Sequence, residues 1–216
     1  MDVNNLVKAS KCNGSLDKVI LIKVEQFMGY LPEHYYHVYN RGARKQKIFF
    51  ETNNYHHLIN LFVKYHLKYQ VTIASYCLMS NHYHLVLKQS DSGSIGAFLK
   101  TTFNAYTQSV NARFGLGGTL FQGQAKVKHI DTDSYCLEVI RYIHLNPVTA
   151  KLVSKPEEWE FSNYQEWIGL RDGILIDSAL ETAYFRSKRD YALFVSEYIE
   201  EKDKKIIANY NFNEDV

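Results

Sequence analysis

His82-Tyr83-His84 sets two imidazoles one residue apart. On a β-strand, where side chains alternate, both rings point to one face. Farther along the chain Tyr142 and Asn146 stand at i and i+4, the spacing that makes two side chains neighbours on a helix. Two nitrogen ligands, an amide oxygen and a phenol are a sufficient set for metal-assisted attack on a phosphodiester, provided that the four converge. Each half also has a plainer explanation. The histidines can be hydrogen-bonded strand residues, since a chain with 9 histidines forms such a pair readily by chance. Tyr142 can be a core residue and Asn146 a C-cap before Pro147, and Tyr106 and Tyr135 are rival phenols. A position at the helix C-terminus would place Asn146 among carbonyls that favour a cation.

Composition narrows the classes. A chain of 216 residues, 46% hydrophobic, is long enough for one domain with an appendage. The net charge of +2 does not demand a nucleic-acid partner, so any such surface must be a local patch. Cys12, Cys77 and Cys136 have no paired spacing, which fits free thiols and a cytoplasmic location. No signal-peptide pattern and no membrane-length apolar run is visible.

The elements that must position the four residues follow from pattern. Residues 34–39, aromatic and β-branched, read as a strand broken at Asn40-Arg41-Gly42. Arg41, Arg44, Lys45 and Lys47 come next with no acid among them, which fits a solvated loop or a phosphate-contacting one. Thr52 or Asn53 can cap a helix reaching about Lys68, with Leu58, Leu61, Phe62 and Tyr65 as its apolar stripe. Residues 71–78 and 82–88 make a hairpin about Met79-Ser80-Asn81. On its second strand Tyr83, Leu85 and Leu87 face one way and His82, His84, Val86 and Lys88 the other. Asp91 and Ser92 open a second helix that ends near Gly115. Residues 124–130 are a fourth strand with Lys126 and Lys128 on one face. Asp131, Thr132 or Asp133 caps a third helix through Leu145, which Pro147 is expected to stop.

This order is an α+β, ferredoxin-like β-α-β-β-α-β sheet followed by a third helix. Two helices cover one face, and the helix carrying Tyr142 lies against or beside the face to which the histidines point. Residues 178–184 and 187–201 read as two further helices. Val19 to Ile22 fit either a short strand or part of a helix, and residues 209–216 are expected to fray.

At this point four ordered segments carry a resemblance. Tyr76-Cys77-Leu78-Met79-Ser80-Asn81-His82-Tyr83-His84-Leu85-Val86-Leu87 resembles the HUH motif of single-tyrosine transposases. Tyr142-Ile143-His144-Leu145-Asn146-Pro147 resembles the catalytic helix of the REP-associated tyrosine transposase (IS200-like) group. Gly118-Thr119-Leu120-Phe121-Gln122-Gly123-Gln124 and Trp159-Glu160-Phe161-Ser162-Asn163-Tyr164 are similar to two further segments of that group. The resemblance runs from about Tyr36 to Trp167. It implies a catalytic domain at 31–167, an N-terminal extension at 1–30 and a helical C-terminal extension at 168–216.

It also implies roles. Tyr142 would be the nucleophile, and His82, His84 and Asn146 would hold a divalent metal ion, Mg²⁺ or Mn²⁺ first, with Asn146 where related transposases often use Gln. The activity implied is cleavage and rejoining of single-stranded, hairpin-associated DNA through a 5′-phosphotyrosine. Arg41, Arg44, Lys45, Lys47, Lys126 and Lys128 are the candidate phosphate contacts. Relatives include homodimers that exchange catalytic helices, so monomer and homodimer both stay open. Two other readings stand beside this one: a nucleic-acid-binding protein of the same fold that has lost catalysis, and a metal phosphoesterase acting on small nucleotides.

Overall fold

The structure, a computed structural model, describes residues 29–201. Val19 to Ile22 and residues 209–216, on which two expectations fell, lie outside the described residues. Strand β1 (Tyr35–Arg41) leads through a short 3-10 turn to helix α1 (Thr52–His66) and the hairpin β2 (Val71–Met79) and β3 (His82–Gln89). Helix α2 (Ile95–Phe114), strand β4 (Lys126–Ile130) and helix α3 (Asp133–Thr149) follow. The sheet order is β2-β3-β1-β4 with every neighbouring pair antiparallel, so the ferredoxin-like arrangement is present.

Several boundaries moved for identifiable reasons. β1 runs on through Arg41, which pairs with His82, and breaks at Gly42. A Cβ at Gly42 would lie 2.0 Å from the Gln46 carbonyl oxygen, so the turn there admits only glycine. Helix α1 is capped by Glu51 rather than Thr52 or Asn53: a capping box links Glu51 and Asn54, and the Glu51 N–H donates to Asn54 Oδ1 at 3.1 Å. Helix α2 begins at Ile95, not at Asp91 or Ser92, because Ser94 Oγ accepts the Ala97 N–H while Gly93 N–H turns back to the Ser90 carbonyl. Thr132 caps α3 through the Tyr135 N–H.

Pro147 does not stop α3. The helix continues to Thr149, and Asn146 O accepts the Ala150 N–H at 2.9 Å. An interior proline costs about 3 kcal/mol through its missing donor and its clash with the preceding turn. Nearly all of α3 from Cys136 to Pro147 is buried, and that burial outweighs the local penalty. Asn146 is therefore not a C-cap: its carbonyl bonds within the helix, and its side chain is the group it offers to a site.

Two cores lie on the two faces of the sheet. On one, Tyr83, Leu85 and Leu87 of β3 pack with Leu58 and Phe62 of α1 and Phe98, Phe103 and Tyr106 of α2. On the other, Ala74, Cys77 and Val86 pack with Val139, Ile140, Ile143 and Leu145 of α3. The strand alternation read from the sequence is the division between these cores. Helices α4 (Tyr164–Trp167), α5 (Ser178–Tyr184) and α6 (Lys188–Glu201) complete the second core with Trp167, Leu180, Tyr191 and Val195. Ser162 and its neighbours run along the outer edge of β2, where Leu78 N–H donates to Phe161 O at 2.9 Å. That contact covers an edge that would otherwise be open to pairing.

Candidate active site

The histidine pair sits where two neighbouring strands support it. His82 follows the two-residue turn Ser80-Asn81, which is held from outside: Ser80 O accepts Ile48 N–H at 2.9 Å, and Asn81 O accepts Gly42 N–H at 2.8 Å. Across β1, His84 pairs with Tyr39 and His82 with Arg41; across β2, His84 pairs with Cys77 and His82 with Met79. Directly opposed residues share a face, so this side of the sheet carries Tyr39, Arg41, His82 and His84 together. The β4 register adds Lys126 opposite Tyr39 and Lys128 opposite His37.

Each imidazole is oriented by a partner on its Nδ1. Asn81 Oδ1 lies 2.7 Å from His82 Nδ1, and His37 Nε2 lies 3.0 Å from His84 Nδ1. In the tautomer with the proton on Nδ1, each ring donates to these partners and carries its lone pair on Nε2. The rings of His82 and His84 stand 5.2 Å apart and nearly perpendicular. His84 Nε2 is fully buried and has no hydrogen-bond partner, which is costly for a polar atom unless something else occupies its lone pair. Burial pushes His82 down to about 4 and His84 well below its ordinary value, the latter helped by the neighbouring His37 and His82. Both rings are therefore neutral near pH 7, the state a metal ligand needs.

Helix α3 supplies the other two groups. The Tyr142 ring meets His84 edge-on at 5.7 Å, and the Asn146 side chain is near enough to both Tyr142 and His82 to shift their protonation. The four residues converge within one chain. Tyr142 and Asn146 are each only 9% exposed. Burial raises the phenol's pKa, and the Asn146 side chain opposes that rise in part. Of the rival phenols, Tyr106 lies in the opposite core and donates to Ile48 O at 2.6 Å, away from the histidines.

No group of three His, Cys, Asp or Glu side chains suited to a metal is found among the described residues. The donor set is two imidazoles and one amide oxygen. Cys77, beside His84, is kept a thiol by burial and does not add to it. The buried, unpartnered Nε2 of His84 is the observation that makes the set fit a cation.

The basic candidates fall into two groups. Arg41 is half-buried beside His82, while Arg44, Lys45 and Lys47 are exposed in the turn fastened to the Ser80-Asn81 hairpin. Arg44 and Lys45 both take positive φ there. Lys126 and Lys128 each place an ammonium 5.9 Å from the Tyr39 ring centre, on the far flank of the same face. Sequence reasoning missed His37, Tyr39 and Asn81 as supports of the site. The alternation of β1, which puts His37, Tyr39 and Arg41 on one face, was the signal available for the first two.

Residues 30–146 match the family model described as Transposase IS200 like. Among solved structures the chain is similar to a REP-associated tyrosine transposase bound to a REP hairpin, with 17% identity and a TM-score of 0.56 over 68% of this chain and 90% of that one. A Deinococcus radiodurans R1 protein described as a candidate transposase aligns over 53% of this chain and 92% of its own, with 16% identity and a TM-score of 0.39. No curated protein matches the chain significantly.

Proposed function

The chain belongs to the IS200-like transposase family, and from that membership we propose that it cuts and rejoins single-stranded DNA beside a hairpin, with Tyr142 as the nucleophile. His82, His84 and Asn146 are proposed to hold a divalent ion, Mg²⁺ or Mn²⁺. The observation that carries this reading is the Tyr142 ring 5.7 Å from that of His84, whose buried Nε2 has no hydrogen-bond partner, with Asn146 beside both Tyr142 and His82. A phenol beside donors suited to a cation supports this reading. A bound divalent ion supplies charge neutralisation at a phosphate.

In the proposed reaction Tyr142 Oη attacks phosphorus. The P–Oη bond forms as the P–O3′ bond breaks, the phenolic proton is lost, and the 3′ oxygen takes up a proton. The 5′-phosphotyrosine keeps the energy of the phosphodiester, so a 3′-OH from a second strand can rejoin DNA without ATP. Asn146 holds the phenol in place, and His37 and Asn81 hold the two imidazoles. Because burial raises the Tyr142 pKa, the phenol is protonated at rest, and its deprotonation must accompany substrate binding or attack. Phosphate contacts are proposed for Arg41, Arg44, Lys45 and Lys47 on one flank and for Lys126 and Lys128 on the other. The solved relative's description as bound to a REP hairpin supports a hairpin as the DNA feature engaged. Since the four groups meet within one chain, the proposed site is complete in a monomer.

The test is a denaturing gel with Mn²⁺ and a hairpin-bearing single-stranded oligonucleotide drawn from DNA flanking the coding sequence. The wild-type protein should give a covalent adduct, and Tyr142→Phe should give none while still binding the DNA. An adduct formed by Tyr142→Phe would sink the assignment. Hairpin binding by the wild type with no adduct under any divalent ion would favour a DNA-binding protein that has lost catalysis.

A further inference from the structure

The segment from Gly118 to Gln124 takes no part in the chemistry above, yet it is fastened to the end of β1. Leu120 O accepts Ala43 N–H at 3.0 Å, Gln122 N–H donates to Arg41 O at 2.8 Å, and Asn40 Nδ2 donates to Gly123 O at 3.2 Å. Phe121 anchors the segment from below, its ring 5.8 Å from that of Tyr83 and 5.4 Å from that of Phe103. So held, Gln122 turns its side chain outward, and its Oε1 accepts Arg41 Nε–H at 2.5 Å.

The consequence lies in the guanidinium. Gln122 engages Nε, which leaves the two terminal amino groups with four N–H donors in a fixed plane. No carboxylate pairs with Arg41 among the described residues. Arg41 stands directly across from His82 on the site face, within side-chain reach of its neighbour. A charged fork with one edge tethered and the other unspent, beside proposed metal ligands, matches the geometry of nonbridging phosphate oxygens.

We propose that Arg41 is a catalytic residue that binds the nonbridging oxygens of the scissile phosphate, and that Gln122 is a positioning residue that acts through Arg41. This rests on the cleavage reading above and assigns to Arg41 a task distinct from general DNA affinity. Charge builds on those oxygens as Tyr142 attacks, and an arginine already aligned need not reorganise to meet it. Gln122 contributes by removing the freedom of the side chain, not by touching DNA.

The experiment uses the hairpin oligonucleotide with its cut position mapped by the wild-type protein. At saturating DNA, Arg41→Ala should slow single-turnover cleavage about 100-fold, the scale of losing one donor to a developing charge. Gln122→Ala should slow it about 10-fold, and the double variant should be no slower than Arg41→Ala alone, the signature of one residue acting through the other. A second readout needs no cleavage. In the Tyr142→Phe protein with EDTA present, a neutral methylphosphonate at the cut position should weaken binding about 10-fold relative to the phosphodiester, the scale of one charge-assisted contact. Adding Arg41→Ala should bring that difference below about 2-fold. Wild-type cleavage rates for Arg41→Ala at saturating DNA, or full discrimination without Arg41, would overturn the proposal. Thermal melts confirm that each variant folds. Absence of an adduct with the wild type fails the cleavage reading instead; methylphosphonates placed one at a time along the strand then test the arginine, which requires one position whose binding penalty disappears with Arg41→Ala, and no such position overturns its role.

Discussion

His37 offers the sharpest test of how the site is held, because one substitution separates its hydrogen bond from its packing. Its ring is fully buried, stacks on Tyr39 at 4.9 Å and on His84 at 5.2 Å, and places Nε2 3.0 Å from His84 Nδ1. His37→Phe keeps a flat ring between the same neighbours and deletes the polar partner of His84 Nδ1. His84 Nδ1 is then unpaired in a dry core, which costs about 1–3 kcal/mol. The ring is also free to take the tautomer that puts its proton on Nε2, the wrong state for a ligand. Outer partners of metal-binding histidines generally carry 10–100-fold in metal affinity, or about 1.4–2.7 kcal/mol, so the two lines of reasoning meet in one range. We therefore expect His37→Phe to raise the Mn²⁺ dissociation constant, measured by calorimetry on the DNA-free protein, about 10–100-fold. The Mn²⁺ concentration that half-activates adduct formation should rise in parallel. The melting temperature should fall far less than for His37→Ala, which also opens a cavity. Wild-type Mn²⁺ affinity in folded His37→Phe would show that the contact is packing alone and that the reasoning about His84 is wrong.

Other expectations follow from the same geometry. Lys126→Ala and Lys128→Ala should each weaken single-strand binding and flatten the log Kd against log salt slope by about 0.7 if they touch phosphate; an unchanged slope removes that lysine from the DNA surface. Tyr191→Phe deletes the hydroxyl 2.5 Å from His144 Nδ1 in the second core, and urea unfolding should register a loss of about 1–3 kcal/mol. Stability should also fall with acid. Burial holds His37 and His144 at about 3 and His82 at about 4, so these rings stay neutral when the unfolded chain, near the ordinary 6.5, takes up protons. Their contribution is therefore fully present above about pH 6.5 and is lost progressively as pH drops toward the folded values, by up to about 1.4 kcal/mol per pH unit for each ring. Urea midpoints from pH 7 to 4.5 measure the slope, and a flat profile would mean that the rings are not shielded.

What the sequence made legible was whatever a short-range period encodes. The alternation at residues 82–88 divides the two cores, and the i,i+4 relation puts Tyr142 and Asn146 on one face of α3. The hidden part was set by contacts distant in sequence. Nothing near His37 marks it as the support of His84, because the two are joined only by strand pairing. The 118–124 segment reads as loop chemistry until its backbone is seen bonded to β1. Pro147 is the instructive failure. The local rule that a residue before proline avoids helical geometry pointed to a helix end, and with it to Asn146 as a cap acting through carbonyls. The rule was overridden because α3 is wedged between the sheet and the C-terminal helices: His144 is bonded to Ser75, Asn163 and Tyr191, on one side and the other. With those ties, unwinding at Pro147 would cost several buried hydrogen bonds to relieve one steric clash. A local penalty near 3 kcal/mol loses to that sum. The same wedge that defeats the proline rule holds Tyr142 against His84, so the error in the helix boundary and the rigidity of the proposed nucleophile have one physical cause.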